Sequence, residues 1–203
     1  LIRDPKSTWG VTQNNPIHDA IRHIAKMTGV DFSVDVTINR NHLITSVFAG
    51  EISSVHKAAC HVAKRTAMKE VPNDFDIVVT TNSGYPLDLN LYQTVKGMSA
   101  AAQIVRHGGT ILCASECRDG IPDHGEYKQL LDSRDTPEEL LEMIKTPGYN
   151  HHDQWQVQLQ AQIQLRARIL LKSGNLTQND VRDAHMEPVE DLESAVAASM
   201  QRY

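Results

Sequence analysis

Cysteine, long apolar runs and clustered positive charge are all scarce in this sequence. Its three cysteines, Cys60, Cys113 and Cys117, are odd in number and include no Cys-x-x-Cys pair. That leaves no basis for a disulfide framework or a zinc knuckle, and buried free thiols are expected. No apolar stretch approaches the roughly 20 residues that cross a bilayer, and the opening LIRDPKSTWG lacks the charged-then-apolar layout of a signal peptide. A cytoplasmic protein is expected. The 20 basic residues are spread along the chain and the formal net charge is −5, so there is no electrostatic footprint for nucleic acid or an anionic membrane. What remains, 203 residues with 40% hydrophobic and 22% charged side chains, is ordinary for a soluble globular protein of one domain, or one and a part.

Local signals divide the chain at about residue 72. Asn15-Pro16 opens a helix whose residues Ile17, Ala20, Ile21, Ile24 and Met27 share a face, and Gly29 ends it. DFSVDVTIN and LITSVFAG, separated by a polar turn, predict a hairpin with one wet face, and EISSVHKAACHVAKRTAMKE predicts a helix running to Pro72. This helix–β-hairpin–helix segment, residues 1–72, reads as the end of an upstream domain or a connection to residues 73–203.

From Asp76 onward strand-like and helix-like segments alternate, which predicts an α/β domain with a mainly parallel sheet flanked by helices. IVV is a short strand, and LDLNLYQTVKGMSAAAQIVRHG reads as a helix capped by Asp88 and ending at Gly108-Gly109. On that reading HGGT is a helix stop ahead of the strand TILCASE. A short helix over Tyr127 to Ser133, a Thr-Pro-Glu helix start at Thr136, a strand ILLKSG, a helix opened by Thr177 and Asp180, and a final helix from Asp191 follow.

QWQVQLQAQIQLRARIL has apolar residues at every second position from Trp155 to Ile169, a strand-like period. Length decides against a strand, since fifteen residues at about 3.3 Å each would extend about 50 Å, and Gln, Leu, Ala and Arg favour helix. Such a helix is expected to lie between two packed surfaces or to face a cleft with one end.

Candidate chemistry concentrates in NSGYPLDLNLYQTVKGM. In an open parallel sheet, ligands gather beyond the carboxyl ends of strands, where helix N-termini favour anions. On the helix that follows, Gln93 and Lys96 are i, i+3 and Tyr92 and Lys96 are i, i+4, so the three can share one patch. They offer an amide, a cation and an aromatic wall to a small carboxylate. The bland alternative has Lys96 solvated, Gln93 exposed and Tyr92 in the core. Ten histidines invite a metal reading, yet His18/His23 and His56/His61 are five apart, about 140° around a helix, where shared ligation needs i, i+4. In SECRDGIPDHGEY a Cys117/His124 nucleophile pair is conceivable, and a loop bordering a cleft is the favoured reading.

The block N-S-G-Y-P-L-D-x-N-x-Y-Q-x-x-K-G-M, the following E-C-x-D-G loop, and H-D-Q-W at residues 152–155 resemble the nickel-dependent lactate racemase (LarA-like) family. The upstream N-P-I-H-D-A, V-D-F-S-V-D-V-T and F-A-G-E stretches are similar to the segment just before that family's C-terminal domain. The resemblance implies a 2-hydroxyacid racemase that moves a hydride to and from a nickel pincer nucleotide in a cleft between two domains. By similarity Gln93 and Lys96 hold the substrate's oxygens, and Tyr92 and Trp155 shape its pocket. The family's nickel ligand, proton-exchanging histidines, cofactor-bearing lysine and carboxylate-binding arginine match no residue here. This chain is therefore expected to be a C-terminal fragment, inactive alone, with no bound cofactor and with the catalytic N-terminal domain as its partner. The competing expectation is a non-catalytic module that binds a small carboxylate.

Overall fold

The Asn15 side chain accepts a hydrogen bond from the Ile17 amide at 3.0 Å, Pro16 occupies the first helical position, and Gly29 closes the helix with φ 71°. These local interactions make α1 (Pro16–Thr28). The computed structural model describes residues 1–203, which form two compact units, Leu1–Glu70 and Val71–Tyr203.

In the first unit, β1 (Ser33–Ile38) and β2 (Ile44–Gly50) pair as an antiparallel hairpin with Val34 opposite Ala49, Val36 opposite Val47 and Ile38 opposite Ile44. The next helix, α2 (Ile52–Ala67), packs against both strands. Its N-terminus is capped by the Glu51 carboxylate, which accepts from the Ser53 and Ser54 amides at 2.8 Å each. The helix stops at Ala67, short of the Pro72 end predicted from sequence. Met68 is extended, its amide donates to the Lys64 carbonyl, and the helix ends there, four residues before the proline. The hairpin does have one face turned inward, but it is the polar one. Ser33, Thr37, Ser46 and Phe48 are half-buried, while Val34, Val36, Ile38, Ile44 and Val47 are exposed.

The second unit is a four-stranded, all-parallel sheet in the order β3 (Phe75–Thr81), β4 (Val105–Ala114), β5 (Ala167–Lys172), β6 (Glu187–Pro188). The helices are α3 (Leu91–Ala101), α4 (Tyr127–Leu131), α5 (Pro137–Lys145), α6 (Gln154–Arg166), α7 (Gln178–Asp183) and α8 (Leu192–Arg202). Alternation along the strands sorts them into two layers. Ile111, Cys113, Ile169 and Leu171 face the main core with Leu91, Val95, Met98, Leu140, Ile144 and Val157, whereas Leu112 and Leu170 face Ala195 of α8 on the other side. Helices thus cover both faces, as expected for parallel strands.

Two expectations for α3 are corrected. Its cap is Asn90, which accepts from the Gln93 amide at 3.0 Å, and it ends at Ala101, so Val105–Gly109 belong to β4. HGGT therefore lies within a strand. The register slips between Phe75/Val105 and Ile77/Thr110, giving a bulge in which a Cβ on Gly109 would stand 2.8 Å from the Asp76 carbonyl oxygen. Glycine here serves a close approach of two strands.

Within α6, Gln156, Gln158 and Gln160 are buried along with Val157, Ala161 and Ile163. The helix is enclosed on most of its circumference, which accounts for the two-residue alternation that carries no helical face. Gln160 meets the Tyr127 hydroxyl and donates to the Ala184 carbonyl at 2.9 Å; Gln164 donates to the same carbonyl at 2.8 Å. These bonds satisfy both ends of the Gln160 amide and the Gln164 nitrogen, groups that would be costly to bury alone, and leave Gln164 Oε1 buried without a partner.

Candidate functional site

After β3 the chain turns sharply through Ser83 and Gly84, both with positive φ, and the Leu87 amide donates to the Gly84 carbonyl at 2.8 Å. The Asn82 side chain donates to the Gln93 carbonyl at 2.8 Å and also reaches the Leu87 carbonyl, tying this loop to the first turn of α3. A second loop, following β4, is bound to the same place. Cys117 donates to the Asp88 carbonyl at 3.1 Å, Asp119 to the Leu89 carbonyl at 2.8 Å, and Leu91 to the Gly120 carbonyl at 3.0 Å. The buried Asp88 carboxylate accepts from the Glu116 amide at 3.0 Å. Asp88 is thus a clasp between two loops and not a helix cap.

Beneath this clasp Thr94 and Ser115 hydroxyls meet at 2.5 Å, and Cys117 Sγ lies 3.4 Å from each. Cys117 is fully buried and touches hydroxyls, not a histidine, so no Cys117/His124 pair exists; His124 is exposed on the loop. Burial pushes the neighbouring Cys113 thiol up to about 12, which keeps it protonated and unreactive.

The first turns of α3 carry three of the sequence-predicted residues, and the start of α6 carries the fourth. Lys96 Nζ donates to Gln93 Oε1 at 2.7 Å, and Lys96 is exposed. The Tyr92 ring packs edge-on against Trp155, with centroids 5.9 Å apart, and against Tyr127 at 5.2 Å. Trp155 is 43% exposed and forms an open wall, whereas Tyr127 is buried behind Tyr92. Gln156 adds a strut by donating to the Tyr92 carbonyl at 2.6 Å. Burial raises the Tyr92 pKa, with the Asp153 charge adding to the effect, so Tyr92 remains a neutral phenol near pH 7.

Asp153 sets the entry into α6. It is left-handed at φ 63°, accepts from the Glu126 amide at 3.1 Å and pairs with His152 Nδ1 at 3.1 Å. His151 in turn pairs with Glu126 at 3.0 Å. The Tyr127, Asp153 and Gln156 supports were not foreseen. H-D-Q-W marks the place in sequence, but no periodicity identifies which α6 glutamines turn inward.

The nickel centre implied by the resemblance finds no donor set in this chain. His56 and Cys60, four apart on α2, approach to 3.4 Å, and the His18 ring is 5.8 Å from His56. No group of three or more His, Cys, Asp or Glu side chains could hold a metal ion. Nor is any helix long and apolar enough to cross a membrane.

The chain is similar to two curated lactate racemases. It is 34% identical over 198 residues to that of Thermoanaerobacterium thermosaccharolyticum, covering 97% of this chain and 46% of the relative. It is also 34% identical over 204 residues to that of Lactiplantibacillus plantarum, covering 100% and 48%. The chain thus spans about half the length of the curated relatives it matches. Among solved structures, the lactate racemase apoprotein from T. thermosaccharolyticum superposes with TM-score 0.88 at 31% identity, over 98% of this chain and 48% of that one. A Thermotoga maritima protein shares the fold alone, with TM-score 0.62 at 9% identity over 87% of this chain and 48% of that one. Residues 70–203 match the family described as the lactate racemase C-terminal domain, and this chain belongs to that family.

Proposed function

We propose that Tyr92, Gln93, Lys96 and Trp155 form the substrate-holding side of a 2-hydroxyacid racemase of the lactate type. The observation that carries this reading is the Lys96–Gln93 contact at 2.7 Å on an open helix face. Because Gln93 Oε1 accepts from the ammonium, the Gln93 amide nitrogen is left to donate outward. A carboxylate beside the pair would meet a cation and an N–H donor together, with Tyr92 and Trp155 as its wall. The Tyr92 phenol, held protonated, can donate a further hydrogen bond.

These residues bind and orient; none is a base or hydride carrier. In a nickel-pincer-nucleotide racemase the cofactor would supply the hydride acceptor, and on this reading residues outside this chain would hold it. The complete protein would therefore be the active species, acting on a small 2-hydroxy acid such as lactate.

The test is racemisation of a panel of 2-hydroxy acids by the full-length protein and its Lys96→Ala variant. Losing one charge-assisted contact is expected to cost about 1.5–3 kcal/mol, roughly ten- to a hundred-and-fifty-fold in kcat/KM. Unchanged kinetics would remove Lys96 from the site.

A further inference from the structure

Gln156 is fully buried on α6, yet only half of its amide is engaged. Nε2 donates to the Tyr92 carbonyl at 2.6 Å, while Oε1 has no hydrogen-bond partner. A buried acceptor without a partner is destabilising, and an apolar side chain of similar volume would avoid that cost. Nor does the Tyr92 carbonyl need this bond to be satisfied. It lies in the first turn of α3, where the carbonyl of residue i accepts from the amide of residue i+4, here Lys96. Gln160 differs, since its amide oxygen and nitrogen are both engaged, by Tyr127 and Ala184. Stability of the fold therefore accounts for Gln160 and leaves Gln156 unexplained.

The place where Gln156 acts supplies a reason. The Tyr92 carbonyl belongs to the peptide joining Tyr92 to Gln93 and opens the turn that closes at Lys96. Gln156 itself follows Trp155, whose ring stands edge-on to Tyr92 with centroids 5.9 Å apart. One hydrogen bond thus ties the helix that carries Gln93 and Lys96 to the helix that carries Trp155. We propose that Gln156 is a positioning residue of the candidate site, setting the spacing between the Lys96–Gln93 pair and the Trp155 wall. This rests on the substrate-holding reading of those residues. Tyr127 backs the Tyr92 ring at 5.2 Å, so the freedom left to the pocket is movement of α6 along α3, which the Gln156 bond resists. A wall displaced by even a fraction of an ångström changes how a small carboxylate is held.

The test is Gln156→Met in the active full-length protein, with lactate as substrate. Fluorine NMR of fluorotryptophan-labelled protein follows Trp155, whose resonance is assigned by its loss in Trp155→Phe. KM is expected to rise roughly tenfold and the Trp155 resonance to shift, while the urea midpoint of the second unit stays level or increases. Gln156→Glu keeps the shape and, while its buried carboxyl is protonated, a donor. Its KM should approach the parent's at low pH and rise with pH, and this variant carries the test if the methionine one does not fold. An unchanged KM in Gln156→Met would overturn the inference, whether or not stability falls, as would a Trp155 resonance that does not move. If that happens while Lys96→Ala still loses activity, the substrate-holding reading stands and only the role of Gln156 is refuted. If Lys96→Ala is silent too, that reading falls and takes this inference with it.

Discussion

Gly97 shows how one missing side chain lets α3 sit on the sheet. A Cβ there would overlap the Thr81 carbonyl, with the carbonyl carbon at 2.9 Å and the Asn82 Cα at 3.1 Å. Both are backbone atoms, so neither can swing aside. Alanine would gain about 1 kcal/mol of helix propensity, yet overpacking against backbone costs about 1–3 kcal/mol or more. Gly97→Ala should lower the urea midpoint of the second unit with little change in m. Glu51 provides a charge-dependent counterpart. Hydrogen bonds from the Ser53 and Ser54 amides hold its carboxyl at about 2, against an ordinary 4.5. A depressed folded pKa means that the cap's contribution is complete above pH 4.5 and is lost as pH falls through about 2. Proton titration followed by NMR should find a Glu51 midpoint near 2, and Glu51→Gln should remove the acid-dependent loss of protection at the Ser53 and Ser54 amides.

At the scale of elements, caps are the parts that behave locally. Thr177 accepts from the Asp180 amide at 3.1 Å while the Asp180 carboxylate accepts from the Thr177 amide at 2.8 Å, a reciprocal pair formed by the two residues that the sequence marks as opening α7. Thr177→Ala should cost about 1 kcal/mol in thermal or urea unfolding of the second unit, with Thr177→Ser largely retaining stability. Asn15, Thr136 and Asp191 were readable for the same reason, since a cap involves only residues two or three apart. The α3–β4 border was not. Met98 to Gly109 has no strong breaker before its glycines, and the helix ends because Val105 pairs with Phe75 thirty residues earlier. Pairing at that distance is a tertiary choice that overrides local propensity.

Across the whole molecule, burial is distributed very unevenly. The first unit buries only Asn15, Val55 and Ala59, none of them completely, while the core of the second runs from Leu91 to Met186. A segment of about 70 residues with so little apolar surface removed from water is marginal. In the isolated chain, residues 1–70 should therefore lose exchange protection and become protease-sensitive at lower urea than residues 71–203, whose unfolding should be cooperative. A single coincident transition for both units would contradict this ordering.

The candidate site divides along the same line. Residue types and spacing by themselves determined that Tyr92, Gln93 and Lys96 could share one helix end, that an α/β arrangement with a parallel sheet would follow the hairpin, and that the glutamine-rich segment would be helical. Each depends on separations of a few residues, where chain geometry leaves few options. Only the tertiary structure decided that Trp155 and Tyr127 flank Tyr92, that Asp88 clasps two loops, and that the hairpin turns its valines outward. Those outcomes follow from which distant surfaces bury each other, and the free energy of that burial belongs to pairs of elements rather than to any single stretch of chain.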